Sequence, residues 1–220
     1  MESMDPLRHC IAFGPVAVYL ALIGGVNLLR RPFVVSGARD LAALAIALSG
    51  LIVVGPVELF FPDHAAVKLG WVVWLILLGL YLSAIVFIVL SLRPRLVIYN
   101  VTTDRLRPVL GRLIEKLDKT ARWAGDCVIM PDLGIQFYID NSPAMRNMSL
   151  KSAGPNQDLL GWRKLESELL EEIKEIPSSR NPRGLSMLAA SLIVAGWIVY
   201  VVLSSDVNLV QSLKELLRIS

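Results

Sequence analysis

Four stretches of the chain, residues 11–29, 41–61, 69–92 and 184–203, are apolar almost throughout, and Glu58 is the one charged residue in any of them. A bilayer core about 30 Å thick is crossed by about 20 helical residues rising about 1.5 Å each. Each stretch meets that length. Backbone polar groups find no water in lipid, and a helix satisfies them internally. The stretches raise the apolar share of the 220 residues to 55% and leave 19% charged. A soluble domain has about 45–50% and about 25%. This composition excludes a disordered chain, a disulfide scaffold and an ordinary soluble protein. The expectation is a multi-pass integral membrane protein with the lipid bilayer as its first partner.

The ends of the stretches carry their own punctuation. Arg30-Arg31-Pro32 closes the first, Pro62-Asp63 the second and Arg93-Pro94-Arg95 the third; the fourth runs between Arg183 and Ser204-Ser205-Asp206. Ser36-Gly37-Ala38 offers small residues for signal-peptide cleavage, but two arginines separate it from a long apolar run, so the first stretch reads as a retained anchor. Orientation follows the Lys and Arg residues near the helix ends. Arg30, Arg31, Arg39, Arg93, Arg95, Arg180 and Arg183 gather on one side, seven against the four of Arg8, Lys68, Lys214 and Arg218. The richer side is expected in the cytoplasm, with both termini outside.

Within the second stretch, Ala42, Ala43, Ala45, Ala47, Ser49, Gly50 and Gly55 are small, as are Gly24 and Gly25 in the first. Small residues let helices approach closely in lipid, either inside one chain or between copies in a homo-oligomer. Gly55-Pro56 is expected to break the helix, because proline lacks the N–H and clashes with the preceding turn. Glu58 and Asn27 are the polar candidates inside the apolar stretches. Intramembrane polar groups point to ion, proton or partner contacts, unless they merely reach the interface.

Residues 93–183 change character, with fifteen Lys/Arg and twelve Asp/Glu. About 90 residues can bury one modest core. Arg95–Val101 is β-branched and reads as a strand. Thr102-Thr103-Asp104 offers capping chemistry before a helix with Leu106, Val109, Leu110, Leu113, Ile114 and Leu117 at helical spacing, provided Pro108 falls in its first turn. Cys127–Met130 and Ile135–Ile139 read as a hairpin about the Pro131–Gly134 turn. Asp140–Pro143 reads as a second turn, before a strand over 146–151. A helix from Leu159 to Ile176 carries Trp162, Leu165, Leu169, Ile173 and Ile176 as one stripe. Residues 207–217 form a further amphipathic stripe, too short to span.

The fold class expected is membrane α-helical: a four-transmembrane-helix bundle with a small α+β domain, a sandwich of ferredoxin-like style, inserted between the third and fourth helices. Residues 1–92 hold three spans, 93–183 the cytoplasmic domain, 184–203 the fourth span and 204–220 an interfacial helix. In plan alone this resembles many bacterial inner-membrane proteins, and no residue-level motif of a family accompanies the resemblance.

Catalytic chemistry is hard to find. The 93–183 segment lacks histidine, which removes Ser-His-Asp and Cys-His catalysis there. Phosphate-loop and dinucleotide fingerprints are absent, as are zinc-ligand spacings. Cys10 and Cys127 fall on opposite sides, so they cannot pair. Cys127, opening an apolar strand, reads as an inert thiol. His9, Glu58, Asp63 and His64 read as scattered interfacial polar residues. Asn100-Val-Thr102 and Asn147-Met-Ser149 match the glycosylation pattern, without meaning in the cytoplasm. Arg105, Arg107, Arg112, Lys116, Lys119 and Arg122 form a candidate surface for lipid headgroups or a protein partner. A net charge of +3 without a recognition motif is a poor match to nucleic acid. The expectation is therefore a non-enzymatic binding, scaffold or regulatory component without catalytic residues, metal or cofactor. The alternative is a small homo-oligomeric channel or transporter, drawn from Gly55, Pro56 and Glu58.

Overall fold

The computed structural model describes residues 6–57, 59, 62, 68–142, 147–155, 157–175 and 181–205. Each of the four apolar stretches holds a helix among its described residues: α1 (Pro6–Leu28), α2 (Gly37–Ile52), α3 (Val72–Ser91) and α6 (Arg183–Leu203). Taken with the continuation of α2 to Val57, their length and composition suffice to cross a membrane. Large apolar side chains stand outward on them; Phe87, Leu192 and Ile193 are each 72% exposed. Contiguous apolar surface of this kind is unfavourable against water. The first helix takes in His9 and Cys10, which the sequence placed ahead of it.

Gly55 and Pro56 do not break the second helix. Val53–Val57 continues it as a π-turn, and the wider ring relieves the clash a proline makes with the carbonyl four residues back. Glu58, Asp63, His64 and the 207–217 stripe lie outside the described residues.

Two compact units result. The first takes α1 to Leu22, α2 from Ala42, α3 to Leu90 and α6 from Met187. Helix contacts there are close. A Cβ on Gly50 would lie 1.7 Å from the Ile11 carbonyl oxygen, so glycine is required for α2 to meet α1. The Tyr81 hydroxyl donates to the Ala45 carbonyl at 2.7 Å, and the Ser191 hydroxyl to that of Ala17 at 2.8 Å. Part of the small-residue face of α2 is therefore used within the chain.

The second unit holds Ile23–Leu41 with Ser91–Ser186. Its six described strands are β1 (Phe33–Ser36), β2 (Arg95–Tyr99), β3 (Arg122–Ala124), β4 (Cys127–Met130), β5 (Ile135–Ser142) and β6 (Asn147–Ser152). They pair antiparallel throughout in the order β1-β2-β6-β5-β4-β3. Helix α4 (Thr103–Leu117) crosses from β2 to the far edge, and the chain meanders back until β6 pairs with β2. Helix α5 (Leu159–Glu172) follows. The result is a mixed helix-plus-sheet fold.

One core explains it. Leu96, Ile98, Val128, Met130, Phe137, Met148 and Leu150 alternate onto one sheet face, where they meet Leu106, Leu110 and Leu113 of α4 and Trp162, Leu165 and Leu169 of α5. Phe137 and Trp162 pack with ring centroids 5.9 Å apart.

Four expectations need correction. The sheet is not confined to residues after 93: β1, from the connector between α1 and α2, forms its edge and sends Val34 into the core. Residues 122–124, where no strand was expected, form β3. Pro108 lies in the second turn of α4, because burying Leu106 outweighs one missing backbone bond. Asp140–Ser142 continue β5 opposite Asn147–Ser149 instead of turning, since ladder pairing overrides local turn preference.

Candidate functional site

Asn27 is engaged structurally. Its Nδ2 donates to the Ile23 carbonyl at 2.9 Å, its Oδ1 accepts from Asn181 Nδ2 at 3.0 Å, and its carbonyl accepts from the Asn181 amide at 3.1 Å. Both residues are buried. Nearby, Asn100 adopts φ 61° after β2 and donates to the Leu29 carbonyl, satisfying an acceptor at the end of α1. Asparagine tolerates this left-handed conformation better than most residues. Asn100 is 1% exposed, which leaves no room for a glycan. These amides tie the end of α1 to the lead-in of α6 and to the exit of β2.

The six basic candidates on and after α4 are all exposed. Arg107 pairs with Asp126 at 3.2 Å, donates to the Gly125 carbonyl at 3.1 Å and sits 6.0 Å from the Trp123 ring centre. Lys116 reaches Glu168 at 3.1 Å and Glu172 at 3.4 Å. The hydrogen bond and charge of Glu168, aided by Glu172, hold its ammonium above the usual lysine range. Arg105, Arg112 and Lys116 share one face of α4 by helical spacing, while Lys119 follows the helix and Arg122 opens β3. Cys127 is half-buried, its sulfur accepting from Gln136 Nε2 at 3.5 Å.

A site that sequence reasoning missed lies at the end of α3. A cleft of about 650 Å³ is walled by residues 91–95, by Lys151–Ala153 and by Tyr138. Three of its side chains form a row across the sheet: Arg95 on β2 is opposite Lys151 on β6, and Lys151 is opposite Tyr138 on β5. Like charges directly opposite one another are unfavourable. Carboxylates offset this pair from both sides. Asp40 lies 3.5 Å from Arg95, and Asp140 pairs with Lys151. The hydrogen bond of Asp140 raises the Lys151 pKa; burial and Arg95 oppose it. Lys151 also sits 5.9 Å from the Tyr138 ring centre.

The Arg95 stem runs over Gly37, where any Cβ would come within 2.1 Å of its Cγ, so glycine at the start of α2 makes room for the arginine. Asp40 also accepts from the Tyr99 hydroxyl at 2.7 Å. The arrangement can receive a small anion. Among the described residues, no three His, Cys, Asp or Glu side chains converge on a possible metal position.

The chain matches no protein-family model, no curated protein and no solved structure. The sequence signal for the cleft was Arg93-Pro94-Arg95, which marks orientation in any membrane protein; Lys151 and Tyr138 become its neighbours only through strand register.

Proposed function

We propose that the chain is a multi-pass membrane protein of a bacterial inner membrane. In this reading it presents its sheet unit to the cytoplasm as a non-enzymatic binding or regulatory module. The observation that carries the reading is the pairing of β1 with β2. If α1, α2 and α3 each cross the bilayer once, the connector after α1 and the segment after α3 emerge on the same side, as this pairing requires. The same side then carries Arg30, Arg31, Arg39, Arg93, Arg95 and Arg183, in keeping with the positive-inside tendency. Both termini lie outside, and the four helices serve as anchor and as a self-association surface.

Thiol labelling tests this. In a Cys10→Ser, Cys127→Ser background, Ala124→Cys places one thiol on the exposed edge strand β3. A membrane-impermeant maleimide is expected to label it in inverted vesicles and not in intact cells. Labelling from outside intact cells overturns the reading.

The π-turn at Val53–Val57 favours a second reading, a homo-oligomeric channel or transporter, because π-turns in helices often accompany function. Flux in proteoliposomes that Glu58→Gln abolishes supports it. A tight, silent bilayer refutes it.

A further inference from the structure

We infer that the cleft at the end of α3 binds the phosphate of an anionic phospholipid headgroup. The inference rests on the membrane reading above, which puts the last residue of α3, Ser91, at headgroup depth. The cleft begins there.

Charge supports a monoanion. Arg93, Arg95 and Lys151 bring three positive charges to the cleft, while Asp40 and Asp140 bring two negative ones. One unit of positive charge is left over, which matches a phosphodiester better than a dianionic monoester. Arg93 is exposed, on the three-residue connector between α3 and β2, so it can turn toward a ligand without unfolding anything. Arginine suits phosphate because its planar fork donates two parallel hydrogen bonds.

Polar satisfaction points the same way. The Nε of Arg95, whose side chain lies in the row that lines the cleft, is buried and has no hydrogen-bond partner in the protein. Buried donors normally find partners. A small turn of the Arg95 guanidinium toward a phosphate oxygen would give that Nε its acceptor. The remaining wall suits a lipid: Leu92, Pro94 and Ala153 are apolar and lie among the charged groups. A volume of about 650 Å³ falls within the range of small-molecule sites.

The test uses the full chain in nanodiscs of mixed phosphatidylcholine and phosphatidylglycerol, with lipid retention read by native mass spectrometry after release. Wild type is expected to retain phosphatidylglycerol selectively. Arg93→Gln and Lys151→Gln are each expected to weaken retention about tenfold, the loss of one charge-assisted contact. Arg163→Gln, an exposed position on α5 with no part in either basic cluster, is the control and is expected to change nothing. Phosphatidylglycerol retention unaltered by both cleft variants overturns the inference, as does equal loss in the control. Inorganic phosphate and glycerol phosphate form the second arm. Displacement of the lipid by either at low millimolar concentration rejects the lipid source. No displacement supports it. The Ala124→Cys labelling separates the two ideas: protection from outside with no selective retention means that the cleft assignment alone has failed.

Discussion

Two glycines, in helices that cover the same sheet face, should respond oppositely to alanine. Gly161 lies in the first turn of α5, and an added Cβ would sit 2.1 Å from the Leu133 carbonyl oxygen and 2.9 Å from Ile135 Cγ2. An unstrained contact lies roughly an ångström and a half farther out. The obstacle is backbone in the turn between β4 and β5, so α5 must lift, and Trp162 and Leu165 lift with it. Overpacking of this kind costs about 1–3 kcal/mol, against a helix-propensity gain of up to about 1 kcal/mol. The net expectation for Gly161→Ala is a loss of about 1–2 kcal/mol. Gly111, inside α4, meets nothing within 4 Å. Gly111→Ala should therefore stabilise by about 0.5–1 kcal/mol. The two variants then differ by roughly 1.5–3 kcal/mol, or about 12- to 150-fold in the opening equilibrium. Amide hydrogen exchange over β5 in the full-length protein reads that equilibrium, because β5 is central to the core. Protection in Gly161→Ala equal to or above that of wild type would refute the packing argument, and so would weakened protection in Gly111→Ala.

Asn27→Ala and Asn181→Ala should each destabilise by about 1–3 kcal/mol, since each strands a buried amide. The double variant should lose less than the sum, and additive losses in a denaturant cycle would show that the two amides do not act as a pair. Asp118 is buried after α4; burial raises its pKa, but hydrogen bonds from the Thr120 amide and hydroxyl and the Asp132 amide outweigh this and hold it below the usual carboxylate range. A depressed native pKa stabilises the fold above the unfolded pKa, and that contribution fades as pH falls through the native value. The stability advantage of wild type over Asp118→Asn should therefore be full near neutrality and shrink below about pH 4; a gap independent of pH in denaturant titrations would contradict this. Val34→Asp puts a carboxylate where β1 enters the core, so β1 and β2 should lose exchange protection while β4 keeps it. Unchanged protection at β2 would mean that β1 is not a working part of the sheet.

Local pattern alone determined several elements. An unbroken apolar run of about 20 residues has one low-energy backbone in lipid, so the four long helices were readable without any partner. Helices α4 and α5 were equally plain, because Leu106, Leu110 and Leu113, and Leu165 and Leu169, repeat at the helical period and need only some apolar face to cover. The hairpin of β4 and β5 was legible from Pro131–Gly134, which supplies its own turn. What tertiary structure alone decided is non-local. Phe33–Ser36 is too short to announce a strand, and it becomes one because β2 offers a free edge some sixty residues away in sequence. Asn27 has the same formula as any polar residue in an apolar helix; only the approach of Asn181 makes it a structural tie. The cleft depends on strand register, which brings Arg95, Lys151 and Tyr138 into one row. A sequence states what each residue prefers, whereas register and docking are settled by all the pairings at once.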